Sequence, residues 1–299
     1  MQIFVTGATG FVGSAIVSEL LGAGHQVVGL ARSDSAASAL RNAGAAVHRG
    51  SLEQPHSLAE AAMAADAVIH AAFDHDFTRF AASSVADRRA IEVLGEAFAG
   101  SNRPLLVTAG AAFLAPGRVA FETDTPPADP DYPRQSEAAA AELADRGVRA
   151  AVVRLPPSVH GPGDRGFVPM LAAIARERGV SAFIGAGENR WTAVHQLDAA
   201  RVYRLALEHG TTSRAYHAVA EEQVAFRTIA EAIGLQLGLP VRSISADEAA
   251  GHFGWFAAFA AMDTPVSSAQ TRAMLGWQPE QVDLLTDLLS GDYFAQPSV

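Results

Sequence analysis

The feature that most constrains this chain is the regular alternation, over its first half, of short apolar runs with segments of helical period. "QIFVT" reads as a strand, "FVGSAIVSELLGAGH" as a helix stopped near Gly24, "HQVVGLAR" as a strand and "SAASALRNAG" as a helix. "AAVHRG", "SLAEAAMAA" and "DAVIHAAF" continue the series as strand, helix and strand. Strands without polar alternation are buried on both faces, and helices between them act as crossovers. The pattern therefore predicts an α/β chain with a Rossmann-type doubly wound parallel sheet. A helix near 79 to 99, the strand "PLLVTAG", a helix beginning near Arg134 and the strand "RAAVVRLPPS" extend it. After about residue 160 turns and amphipathic helices take over. The expected organisation is a dinucleotide-binding domain over 1–160 and a smaller, mostly helical substrate lobe over 161–299, with chain crossings back to the sheet.

Composition removes several function classes. A formal charge of −10 with scattered arginines leaves no basic face for nucleic acid. The absence of cysteine excludes disulfides, thiol nucleophiles and thiolate metal sites, and no His and carboxylate set has metal spacing. No signal-like start and no long apolar run are present, so neither a membrane partner nor processing is expected, and a cytoplasmic location fits. All 22 basic residues are arginine, so lysine-assisted and Schiff-base mechanisms are impossible.

"TGATGFVG" sets Gly7, Gly10 and Gly13 between a strand and a helix, with Thr9, Phe11 and Val12 completing the loop and first turn. Glycine lets the backbone approach a pyrophosphate, which then sits on the positive end of the helix. The end of the second strand selects the dinucleotide: an acidic residue takes a ribose 2′-hydroxyl, an arginine a 2′-phosphate. In "GLARSD", Arg32 and Ser33 precede Asp34, which favours NADP(H); the other reading makes Arg32 a solvated charge and lets Asp34 reach the ribose.

Together "TGATGFVG", "DAVIHAA", "VVRLPPSVHGPGD" and "VHQLDAARV" resemble the extended short-chain dehydrogenase/reductase superfamily, the branch of NAD(P)-dependent epimerases, dehydratases and related reductases. The resemblance spans most of the chain. It implies that Ser51 and Leu52 lie near the adenine, that Ala71, Ala72 and Phe73 flank the cofactor, and that Leu155, Pro157 and Ser158 approach the nicotinamide. It also implies a homodimer through the helices near 79 to 99 and 134 to 146.

The family's acid/base device is a Tyr with a Lys four residues on, aided by a Ser or Thr after the fifth strand. Here Tyr132 is followed at that spacing by Ser136, and the hydroxyl position falls on Gly110, leaving Thr108 as the nearest hydroxyl. A phenol without a neighbouring cation is a poor base at neutral pH. If Pro133 opens the helix, Tyr132 is a loop residue and Arg134 a first-turn residue that could supply charge but no proton. The pattern is similar to the atypical subgroup that has lost Tyr-x-x-x-Lys.

Other proton carriers are therefore needed. His75 stands in "FDHDF" after the fourth strand, with Asp76 as a substrate contact, and His160 lies in "PSVHGPGD". Arg190 and Trp191 are candidates to anchor and stack a substrate, whereas His195 and Asp198 suit a structural role. The expectation is an NADPH-dependent oxidoreductase for a small organic carbonyl, imine or activated alkene, with His75, His160, Tyr132 and Arg134 as catalytic candidates. The alternatives are a non-redox epimerase, dehydratase or cyclase, and a non-enzymatic NADP(H) sensor.

Overall fold

Seven parallel strands form the central sheet of the computed structural model, which describes residues 1–112, 114–126, 134–290 and 293–294. In chain order the first half runs β1 (Gln2–Thr6), α1 (Phe11–Gly22), β2 (Gln26–Ala31), α2 (Asp34–Asn42), β3 (Ala46–Arg49), α3 (Pro55–Met63) and β4 (Ala67–His70). It continues with α4 (Phe80–Glu96), β5 (Leu105–Gly110), α5 (Ser136–Asp145) and β6 (Ala150–Leu155). The spatial order is β3, β2, β1, β4, β5, β6, closed at the far edge by β10 (Ala215–His217), which returns from the C-terminal half to pair with β6. The doubly wound parallel sheet read from the sequence is therefore present.

Strand residues alternate between the two faces. On β1, Ile3 and Val5 join one apolar layer while Phe4 joins the other, and all three are fully buried. The first layer contains α1 and α7 (Gln196–Glu208); the second contains α3, α4 and α5. Continuous apolar strands and small-residue helices such as "SEAAAAELAD" are what such a three-layer stack requires.

Before α7 come β7 (Ser158–His160), α6 (Phe167–Arg178), β8 (Ser181–Ile184) and β9 (Arg190–His195). After β10 come β11 (Glu221–Ala225), α8 (Phe226–Leu237), β12 (Val241–Ile244), α9 (Ala246–Phe253), α10 (Ala257–Ala260), α11 (Ala269–Leu275) and α12 (Leu284–Leu289). This region is largely helical, but it also contains a three-stranded sheet, β11-β9-β7, and a two-stranded one, β12-β8. A separate apolar core centred on Trp191, Phe226, Phe253 and Phe256 holds it together. No helix of the described residues is long and apolar enough to cross a membrane.

The turn from β1 to α1 is the tightest packing in the sheet. A Cβ on Gly13 would lie 1.9 Å from the Gly7 carbonyl oxygen, and one on Gly7, whose φ is +66°, would meet the Ala71 and Ala72 backbone at 2.6 to 2.7 Å. Gly13→Ala should therefore lower stability by about 1–3 kcal/mol through forced backbone displacement; denaturant unfolding that matches wild type would show that the loop can relax.

Candidate functional site

The strand order reverses between β1 and β4, opening a crevice at the carboxyl ends of these strands, the place where ligands bind in such sheets. The glycine loop lines one wall. Gly10 precedes α1 without a side-chain cap, so first-turn N–H groups of the helix are left for a ligand. Thr9 and Gly10 are exposed, while Phe11 and Val12 are half-buried. Gly7 packs against the backbone of Ala71 and Ala72, so these predicted cofactor residues share one place in the fold.

At the end of β2, Arg32 and Ser33 are exposed. Ser33 caps α2, accepting from the Ala36 N–H at 3.2 Å. Asp34 forms an ion pair with Arg49, which also donates to the Ser33 carbonyl at 2.5 Å. Arg32 has no ion-pair partner among the described residues. Arg49 was not anticipated; its register opposite Ala31 on β2 was the available signal. Ser51 and Leu52 follow β3 and are half-buried, and Ser51 hydrogen-bonds Glu53, holding its carboxyl below the ordinary range.

On the other side of the crevice Arg134 occupies the carboxyl edge of β5. The helix does not begin at Arg134, as the sequence suggested, but at Ser136, so Arg134 is an extra-helical residue whose side chain is free to turn back over the sheet. Its Nε donates to Ser136 Oγ at 3.0 Å and its Nη2 to the Thr108 carbonyl at 3.1 Å. The guanidinium lies over the Phe73 ring, 4.1 Å from its centroid. Thr108 Oγ1 meets the hydroxyl of buried Tyr203 at 2.8 Å. Ser136 donates to Asp87 Oδ2 at 2.5 Å. Asp87 also accepts from His70 Nε2 at 3.0 Å, and His70 Nδ1 pairs with Thr6 Oγ1 at 2.8 Å. Burial opposes ionisation of Asp87, but His70, Arg134 and Ser136 outweigh it and hold the carboxyl below its usual range. Asp87 and His70 were missed in the sequence. A carboxylate among Ser83, Ala90, Ile91 and Leu94 on the buried face of α4 was the legible clue.

His75 is exposed at the crevice, its ring edge-on to Phe73 at 5.1 Å. Desolvation against that wall, then the Arg134 charge, lower its pKa. Asp76 points elsewhere: it accepts from Thr78 N and Oγ1 and caps the short helical turn Phe77–Arg79. Gly110 ends β5 and is exposed, and Leu155 and Pro157 are half-buried beside it on β6 and its exit. Ser158 Oγ is buried without a hydrogen-bond partner among the described residues. Tyr132 lies outside the described residues.

Three expectations need correction. His160 is not at an open site: it is 0% exposed, its Nδ1 is 2.8 Å from Asp287 of α12 and its ring is edge-on to His195. Burial, opposed by Asp287, lowers its pKa. Trp191 is likewise 0% exposed, wedged among Phe167, Phe226 and Phe256, because it faces the C-terminal core. Arg190 is bound bidentately by Asp263 at 2.9 and 2.7 Å, which occupies the fork a substrate would need. Asp198, by contrast, has the structural placement read from sequence: buried, it accepts from the Glu280 and Gln281 N–H groups at 3.0 and 2.9 Å. Among the described residues no His, Asp and Glu group is arranged to hold a metal.

The family model described as the NAD dependent epimerase/dehydratase family matches residues 3–219. An uncharacterized protein of Schizosaccharomyces pombe is 48% identical over 98% of this chain and 100% of its own length. A 4-hydroxy-2-methyl-3-oxo-4-farnesyl-3,4-dihydroquinoline-1-oxide ketoreductase of Stigmatella aurantiaca is 26% identical over 85% of this chain and 80% of its own. Among solved structures, the dTDP-glucose 4,6-dehydratase DesIV of Streptomyces venezuelae, with NAD bound, superposes with a TM-score of 0.75 at 20% identity, covering 97% of this chain and 95% of that one.

The loop after His160 carries a titration that stability measurements can read. Burial raises Asp164 from 3.8 to about 6, and Tyr293 hydrogen-bonds it. A raised folded-state pKa stabilises the protonated form, so this contribution is complete below pH 3.8 and is lost as pH rises through about 6. Asp164→Asn, which cannot ionise, should be more stable than wild type by about 2 kcal/mol above pH 7, with the difference closing near pH 4. Denaturant unfolding at both pH values checks this; a difference independent of pH would refute the assignment.

Proposed function

The chain belongs to the NAD-dependent epimerase/dehydratase family, and from that premise we propose that it is an NADPH-dependent oxidoreductase reducing a small organic carbonyl, imine or activated alkene. The observation that carries this reading is Arg134, pinned at the carboxyl edge of β5 over Phe73 with His75 against the same ring. The ketoreductase among the relatives supports a carbonyl as the reducible group.

The residues present fit the dinucleotide. Gly7 and Gly13 leave no room for a Cβ, and the uncapped start of α1 suits the pyrophosphate. The buried, unpartnered Ser158 hydroxyl suits the nicotinamide carboxamide. Arg49 neutralises Asp34 and so removes the carboxylate that would take a ribose 2′-hydroxyl, while Arg32 and the Ser33 and Ser35 hydroxyls, 2.9 Å apart, suit a 2′-phosphate. The same reading includes a homodimer through α4 and α5 and a cytoplasmic location.

When bound, the reduced nicotinamide supplies hydride to the electrophilic carbon of the substrate. Electrons of the C=O, C=N or conjugated C=C bond then collect on the far atom, and Arg134 stabilises that charge in a partly desolvated site. Arg134 cannot release a proton, so protonation falls to His75, the exposed titratable group against the same aromatic wall. With His160 buried against Asp287, His75 is the donor this reading favours.

Two measurements test it. Arg32→Ala should weaken NADPH binding by about tenfold or more and leave NADH within about twofold, as loss of a charge-assisted phosphate contact predicts, and Arg49→Ala, which frees Asp34, should weaken NADPH and strengthen NADH; equal effects on both cofactors would sink the NADP assignment. Because the His75 pKa is lowered, its donor form is depleted as pH rises through a value below 6.5. Reduction of an activated ketone, followed at 340 nm, should slow from pH 6 to 8, and His75→Gln should flatten the profile and cut kcat by about 100-fold. Full turnover by His75→Gln would assign the proton to another source.

A further inference from the structure

The buried polar chain behind Arg134 has no part in proton delivery, since an arginine ends it, yet it contains a carboxylate removed from water at some cost. We propose that Asp87 and Ser136 are positioning residues that hold the Arg134 guanidinium as a fixed cation beside the nicotinamide ring, so that the protein favours the reduced dinucleotide over the oxidised one. The proposal rests on the dinucleotide placement given above and adds a specificity for its redox state.

The hydrogen bonds along the chain converge on Asp87 from both sides. Thr6 Oγ1 pairs with His70 Nδ1 at 2.8 Å, His70 Nε2 gives its proton to Asp87 Oδ1 at 3.0 Å, and Ser136 gives its own to Asp87 Oδ2 at 2.5 Å. With its hydrogen committed to Asp87, Ser136 Oγ can only accept, and it accepts from Arg134 Nε at 3.0 Å. The Thr108 carbonyl takes Nη2, and the Phe73 face covers the guanidinium plane. Thr6, His70, Asp87 and Ser136 are each no more than 2% exposed, so the orientation is not averaged by water. Asp87 is buried behind the Ser136 hydroxyl while Arg134 is only half-buried, so the charge nearer the carboxyl edge of the sheet is the positive one. Arg88 of α4, donating to Gln135 at 3.0 Å, holds the neighbouring turn to the same helix. The oxidised nicotinamide ring carries a positive charge and the reduced ring none, so a cation held at this edge repels only the oxidised form.

Calorimetric titration of the full chain with NADPH and with NADP⁺ tests this in wild type, Arg134→Gln, Ser136→Ala and the double variant Arg134→Gln/Ser136→Ala. Arg134→Gln should move the affinity ratio toward NADP⁺ by about fivefold or more, as expected for one charge several ångström away in a partly screened site. Ser136→Ala, which leaves both charges in place and releases the guanidinium, should move it the same way, and the double variant should move it no further than Arg134→Gln alone. A wild-type ratio in folded Ser136→Ala or in Arg134→Gln, or effects that multiply in the double variant, would overturn the proposal. A wild-type protein that binds neither dinucleotide removes the cofactor reading and this proposal with it. One that binds both yet turns over no carbonyl, imine or enone removes only the reductase assignment, and the ratio still decides the positioning role.

Discussion

Parallel strands can be joined only by crossovers, and a sheet wound outward in both directions from its middle must separate two neighbouring crossover connections there. In this chain the separation falls between β1 and β4. Everything assigned to the site hangs from it. The glycine turn leaves β1, the Ala71–Phe73 segment leaves β4, and the two backbones come within reach of each other only because Gly7 has no Cβ to meet the Ala71 and Ala72 backbone. The β5 edge then sets Thr108 and, through its carbonyl, Arg134. The crevice is thus a consequence of topology, and the side chains decorate a space that connection geometry had already opened.

The sheet was legible because its determinants are local: run lengths, periodicity and glycine spacing were sufficient for β1 through β6 and their helices. Site residues divided along another line. The tight turn at Gly7 and Gly13 could be read because the strand end and helix start that it joins are adjacent in sequence, although Gly7 also packs against Ala71 and Ala72. His160 and Trp191 could not, because the fact that governs each is distant in sequence: Asp287 for the histidine and Phe256 for the tryptophan. Arg190 was misread for the same reason, since Asp263 is its partner. A polar side chain beside a family motif looks available until the element that covers it is known.

Arg134 shows a finer limit. A sequence pattern places a residue relative to a helix start only within a residue or two, and here that margin decides the chemistry. Inside the first turn of α5 the side chain would be tied to the helix surface. Two residues before Ser136 it can fold back over β5 and Phe73. The sequence has no lysine to offer here, and only the structure showed that a buried carboxylate on α4 and Ser136 organise the surroundings of Arg134.

The return of β10 to the sheet has a consequence for how the chain must be made. Until residues 215–217 emerge, β6 is an open edge whose N–H and C=O groups have no partner on one side, although every other strand between it and β3 is already complete. Open, apolar edges are where nascent chains pair with the wrong neighbour. Arg154 of β6, buried and bound to Glu137 and His217, has the same timing, because His217 arrives with the closing strand. Synthesis of the last sheet strand is therefore the step at which an exposed, partly charged margin becomes a sealed one.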